Sequence, residues 1–132
     1  MEEKKMARRI VAEKAPAAIG PYSQAIAVDK FLFASGQIPI NPETGLVEAV
    51  GIKEQAEQVM KNVGAVLNAA GTTYGNVVKS TCYLTDMANF DAFNEVYGAY
   101  FLMDEKPARS CVAVRQLPKN VLCEVEVIAY LA

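Results

Sequence analysis

The chain has 132 residues, 52% of them apolar and 21% charged, which suits one domain around one core and leaves no room for two. Thirteen Lys and Arg against fifteen Asp and Glu give a net charge of −2, and with a pI near 5.2 this argues against a surface built for nucleic acid or anionic lipid. There is no histidine, so Ser-His-Asp and Cys-His catalysis are excluded and the commonest transition-metal ligand is missing. Any chemistry must run on carboxylates, Arg, Lys, Tyr, hydroxyls, thiols or backbone groups, and no metal or cofactor is expected.

The charged start, residues 1–9, lacks the apolar core of a secretory signal. We read residues 1–7 as a flexible lead-in to a single domain spanning 1–132. No stretch approaches the ~18 apolar residues of a membrane span. Cys82, Cys111 and Cys123 form no C-x-x-C pair, which favours a reducing compartment over a disulfide framework. A cytoplasmic protein is the expectation.

In chain order, residues 8–12 predict a short strand, and residues 15–21 a loop punctuated by Pro16, Gly20 and Pro21. Residues 23–28 and 31–36 predict a hairpin turning at Asp29-Lys30. Residues 39–51 form a further loop. The strongest helix is predicted over 52–70, where Ile52, Ala56, Val59, Met60, Val63, Val66 and Leu67 recur at helical spacing before Gly71. A Val- and Thr-rich strand follows over 76–85. A second helix over 89–101 carries Phe90, Phe93, Val96, Tyr97, Tyr100 and Phe101, a stripe best explained as core packing. Strands over 108–114 and 122–131 close the chain.

The order β-β-β-α-β-α-β-β predicts an α+β fold, a mixed sheet with two helices on one face. The last strand alternates Cys123, Val125, Val127 and Ala129 with Glu124, Glu126, Ile128 and Tyr130. With helices covering one face, the other is too apolar to meet water without a partner, so a homo-oligomer is predicted.

Arg109 enters an apolar strand with no partner nearby in sequence. It is either an exposed edge charge or a planar fork for a carboxylate. Glu124 either faces solvent with Glu126 or, if buried at a subunit boundary, has its pKa raised and serves as a general base. Ser35-Gly36 closes a strand where backbone can approach a ligand oxygen closely, though a turn is the simpler explanation. Tyr22 either packs on a ligand or anchors its loop. Cys111 has no histidine to activate it and reads as an inert thiol, and Lys79 as a side chain snorkelling to solvent.

Four segments then act together: Ala15-Pro16-Ala17-Ala18-Ile19-Gly20-Pro21-Tyr22-Ser23-Gln24-Ala25, Ser35-Gly36-Gln37-Ile38-Pro39, Pro107-Ala108-Arg109-Ser110 and Glu124-Val125-Glu126. In order and spacing they resemble the RidA/YjgF family, over nearly the whole chain. The resemblance implies a chorismate-mutase-like subunit, assembled as a homotrimer with an inner barrel and clefts between subunits. It implies cofactor-free hydrolysis of 2-imino acids such as 2-iminobutanoate and 2-iminopropanoate to 2-oxo acids and ammonia. In that pattern Arg109 grips the substrate carboxylate. Glu124 activates water, helped by the Cys111 carbonyl, while Tyr22, Ser35, Gly36 and Asn94 line the cleft. Two other readings remain: a trimeric regulator that binds small carboxylates without catalysis, and a ribonuclease or translation inhibitor, which the acidic surface disfavours.

Overall fold

A computed structural model describes residues 6–132. Its elements are β1 (Ala7–Ile10), β2 (Ala25–Val28), β3 (Phe31–Ala34), α1 (Ile52–Ala69), β4 (Val77–Leu84), α2 (Phe90–Gly98), β5 (Ala108–Ala113) and β6 (Cys123–Tyr130). The six strands form one mixed sheet in the order β1-β2-β3-β6-β4-β5. All pairings are antiparallel except β4 with β5, which is parallel. The expected α+β class and element order are found.

The boundaries differ in instructive ways. Strand pairing begins at Ala7, opposite Val28, so Ala7 belongs to β1 rather than to the expected lead-in, whose residues 1–5 lie outside the described residues. β1 stops at Ile10 because the Gln24 side chain then takes over the backbone, accepting from Ala12 N–H and donating to the carbonyls of Ala12 and Pro16. β3 ends at Ala34, two residues early, since Ser35 N–H turns to the Gln24 carbonyl and Gln37 bridges to Val125 instead. The β2–β3 hairpin turns where predicted, with Asp29 at φ 53°.

α1 lays Ala56, Val59, Met60, Val63, Val66 and Leu67 against the sheet, all essentially inaccessible. Burying each larger side chain stabilises the fold by about 1.5–3 kcal/mol. The helix stops through a Schellman arrangement: Gly71 takes φ +79°, Thr72 N–H donates to the Leu67 carbonyl and Gly71 N–H to that of Asn68. α2 ends at Gly98, three residues short of the expectation. Its aromatic stripe continues through turns in which Tyr100 N–H reaches the Tyr97 carbonyl and Phe101 N–H that of Gly98. Phe93, Tyr97 and Phe101 are buried, as core packing requires.

Cys123, Val125, Val127 and Ala129 of β6 sit beneath the helices. The opposite sheet face carries Phe31, Phe33, Ile128 and Tyr130 beside Glu124 and Glu126. Phe31 and Phe33 remain 41% and 45% exposed, so this face is apolar and uncovered. No helix among the described residues is long and apolar enough to cross a membrane.

Candidate functional site

Arg109 lies on β5, the edge strand, in register with Ser80 of β4. Ser80 is fully buried under α2, where its hydroxyl pairs with that of Tyr97 at 2.6 Å. Strand alternation therefore aims Arg109 to the helix side of the sheet. The guanidinium donates to Asn94 Oδ1 at 2.6 Å and stands 4.9 Å from the Tyr97 ring centre and 5.6 Å from that of Phe90. One neutral acceptor and two aromatic rings fix the fork without neutralising it. Lys53 with Glu95, at 2.7 Å, is the one ion pair among the described residues, so no acid meets Arg109 there. An open cavity of about 310 Å³ adjoins it, lined also by Asn94, Tyr97, Phe101, Lys106 and Pro107.

Tyr97 and Phe90 are site residues that sequence reasoning assigned only to the core. The one available signal was their helical spacing around Asn94. Cys111, two residues along β5 from Arg109, pairs with Cys82, so its thiol shares the helix-side face. Burial pushes that thiol's pKa up, against the opposing pull of Arg109. The direction agrees with the expectation of an unreactive thiol. Lys79 lies on the opposite face, half-buried, its amine 3.4 Å from Ser110 Oγ.

Glu124 belongs to a second cluster. It pairs in register with Tyr83 and points to the uncovered face. A Cβ built on Gly36 would fall 2.0 Å from Glu124 Oε2, so the carboxylate lies directly over the glycine backbone. The close approach expected at Gly36 is thus made by this chain's own glutamate. Neighbouring backbone groups are committed, Ser35 N–H to the Gln24 carbonyl and Gln37 N–H to that of Val125. Ser35 Oγ donates to the Ser23 carbonyl at 2.6 Å, tying the Tyr22 loop to the end of β3. Tyr22 is half exposed and shares a small pocket of about 30 Å³ with Gly36 and Gln37. Burial, then the nearby Glu126, raise the pKa of Glu124 above its ordinary 4.5.

The sequence-predicted residues thus fall into two groups: Arg109, Asn94 and Cys111, and Glu124, Gly36, Ser35 and Tyr22. Within one chain they do not converge. From the register, Arg109 and Glu124 are two strands apart and three residues offset, roughly 14 Å between Cα atoms, on opposite faces. Among the described residues no three His, Cys, Asp or Glu side chains gather as a metal site.

Comparison with known proteins places this geometry in context. The sequence model of a family described as Endoribonuclease L-PSP matches residues 12–131. A RutC family protein of Pyrococcus abyssi is 52% identical over 126 residues, spanning 95% of this chain and 98% of its own. The mouse protein named 2-iminobutanoate/2-iminopropanoate deaminase is 47% identical over 116 residues, covering 88% and 85%. The crystal structure of Escherichia coli TdcF with bound serine superimposes with a TM-score of 0.89 at 40% identity, covering 95% of this chain and 99% of that one. With nearly its whole length matched in sequence and in fold, the chain belongs to the RidA/YjgF family.

Proposed function

We propose that the protein hydrolyses reactive 2-imino acids to 2-oxo acids and ammonia without a cofactor, in clefts between the subunits of a homotrimer. The observation that carries this is Arg109: an anchored guanidinium beside an open cavity, with no acid partner among the described residues. Such a fork suits the carboxylate that every 2-imino acid presents. The name of the mouse relative and the serine bound to TdcF support a small carboxylate-bearing ligand.

The trimer and its chorismate-mutase-like arrangement, with the sheets forming an inner barrel, rest on two features. The uncovered face is apolar, and the edge strand β5 leaves half its backbone groups without a neighbouring strand. Bringing the β5 edge of one subunit against the uncovered face of the next allows Arg109 and Cys111 of the first to face Glu124, Gly36, Ser35 and Tyr22 of the second.

In such a cleft Arg109, held by Asn94, fixes the carboxylate and so orients the adjacent C=N carbon. Water held by Glu124 and the Cys111 carbonyl attacks that carbon, and Glu124 accepts the proton. Returning that proton to nitrogen completes the carbinolamine. Glu124 then takes the proton of its hydroxyl and passes it to the amino group, so the C–N bond breaks and leaves ketone and ammonia. A raised pKa brings Glu124 closer to the working pH, as a general base requires.

The test uses 2-iminobutanoate generated by a threonine dehydratase and trapped with semicarbazide. Wild type lowers the trapped fraction. Arg109→Ala loses this by about 30-fold or more, and Glu124→Gln keeps carboxylate binding but abolishes ammonia release. Unchanged turnover in Arg109→Ala overturns the proposal; unchanged turnover in Glu124→Gln removes the base.

A further inference from the structure

We propose that Glu126, anchored by the Tyr83 hydroxyl, is a positioning residue for Glu124, an inference that rests on the deaminase reading above. Tyr83 lies directly opposite Glu124 in the β4–β6 register, while Thr81 lies opposite Glu126. Yet the phenol donates diagonally, to Glu126 Oε1 at 2.5 Å. The result is a division of labour between two carboxylates two residues apart on one strand face. Glu126 is hydrogen-bonded and fixed. Glu124 accepts no hydrogen bond among the described residues and keeps its oxygens for water.

The chemistry follows from this asymmetry. A hydrogen bond donated to a carboxylate favours its charged form. The Tyr83 pKa is itself pushed up to about 12, chiefly by Glu126, so it stays a neutral donor throughout the working range. The Tyr83 hydroxyl thus holds the Glu126 carboxylate in place on the same strand face, and its field makes Glu124 a stronger base than burial alone would.

On the strands beside this pair of carboxylates the same face carries one cation of this chain among the described residues, Lys79. It lines a pocket with Glu126 and is present in wild type and in Glu126 variants alike. From β4, Tyr83 faces Glu124, and Lys79 is turned to Ser110 Oγ. From β5, Ser110 and Val112 share the face, and from β3, Phe33; none carries charge. Gly36 and its neighbours Ser35 and Gln37 approach as uncharged groups. In the proposed assembly a neighbouring copy adds its Arg109, a cation whose effect is present in wild type and in Glu126 variants alike.

The sign is fixed. Removing the Glu126 charge lowers the pKa of Glu124, so the acid limb of kcat/KM moves to lower pH. The weaker base also lowers the plateau. Glu126→Gln retains an oxygen acceptor for Tyr83 and tests charge with little change of shape. The experiment records kcat/KM against pH for full-length wild type, Glu126→Gln, Glu126→Met and Glu126→Asp in the imine assay. We expect the limb to fall by about half a unit or more in the Gln and Met variants, and to return toward wild type in Glu126→Asp. If either neutral variant keeps the wild-type limb, even with a lower plateau, Glu126 is merely structural and the inference is overturned. Glu124→Gln run in parallel separates the two readings. An inactive Glu124→Gln with an unmoved limb in the Glu126 variants sinks only this inference, whereas an active Glu124→Gln sinks the role of Glu124 and this inference with it.

Discussion

Gly36 illustrates how a site residue can act without touching a ligand. Its backbone conformation is ordinary, since the positive-φ glycines among the described residues are Gly45 and Gly71. What it supplies is the missing side chain beneath the Glu124 carboxylate, where a Cβ would sit 2.8 Å from Cδ and 2.0 Å from Oε2. Gly36→Ala should therefore displace the carboxylate without disturbing the fold. Imine turnover is expected to fall by about tenfold or more, while circular dichroism and Tm stay close to wild type. A variant with full activity would show that the position of Glu124 is not critical. The sequence marked Gly36 and Glu124 separately, through a strand-end glycine and a family motif. Nothing in it could tie them together, because 87 residues lie between them and it is the β3–β6 pairing, extended by the Gln37–Val125 bridge, that brings them into contact. Arg109 was equally ambiguous, its aromatic seat hidden within a stripe that periodicity assigns wholly to the core.

At the scale of elements, α1 was the most legible, because an 18-residue amphipathic pattern with a glycine stop has few competing explanations. Strand ends were less so, since side chains such as Gln24 and Ser35 capture backbone groups that a strand pattern assigns to the ladder. The parallel β4–β5 pairing was illegible, being a consequence of α2 crossing between them rather than of either strand's own pattern. α1 also organises the loop ahead of it through buried polar side chains. Asn62 Nδ2 donates to the carbonyls of Ile38 and Ile40, and Gln55 joins the Ala49 carbonyl to Leu122 N–H at the start of β6. Asn62→Ala strands the buried Ile40 carbonyl, while that of Ile38 keeps the Ile40 N–H, and should cost about 1–3 kcal/mol. Urea denaturation measures the loss, and a midpoint equal to wild type would show that water replaces the amide freely.

For the whole molecule, the uncovered sheet face decides whether one chain is enough. Phe31, Phe33 and Tyr130 cluster there, with Phe31 and Tyr130 in edge-on ring contact. Phe33→Asp places a charge in the middle of this face and should leave the monomer folded but unable to associate. Analytical ultracentrifugation should then report a trimer for wild type and a single subunit for the variant, with imine turnover lost alongside. A trimeric Phe33→Asp protein would mean that association uses another surface.

The separation of Arg109 from Glu124 across the sheet has a genetic consequence. In the proposed trimer each subunit would carry one half of two different sites, so variants defective in opposite halves should repair one another. Arg109→Ala and Glu124→Gln chains, each inactive alone, should recover activity when refolded as a mixture. In a closed ring of three with equal and random mixing, about a quarter of the interfaces would pair an intact arginine with an intact glutamate. Had both groups belonged to a single chain's cleft, no mixture could exceed the activity of its parts.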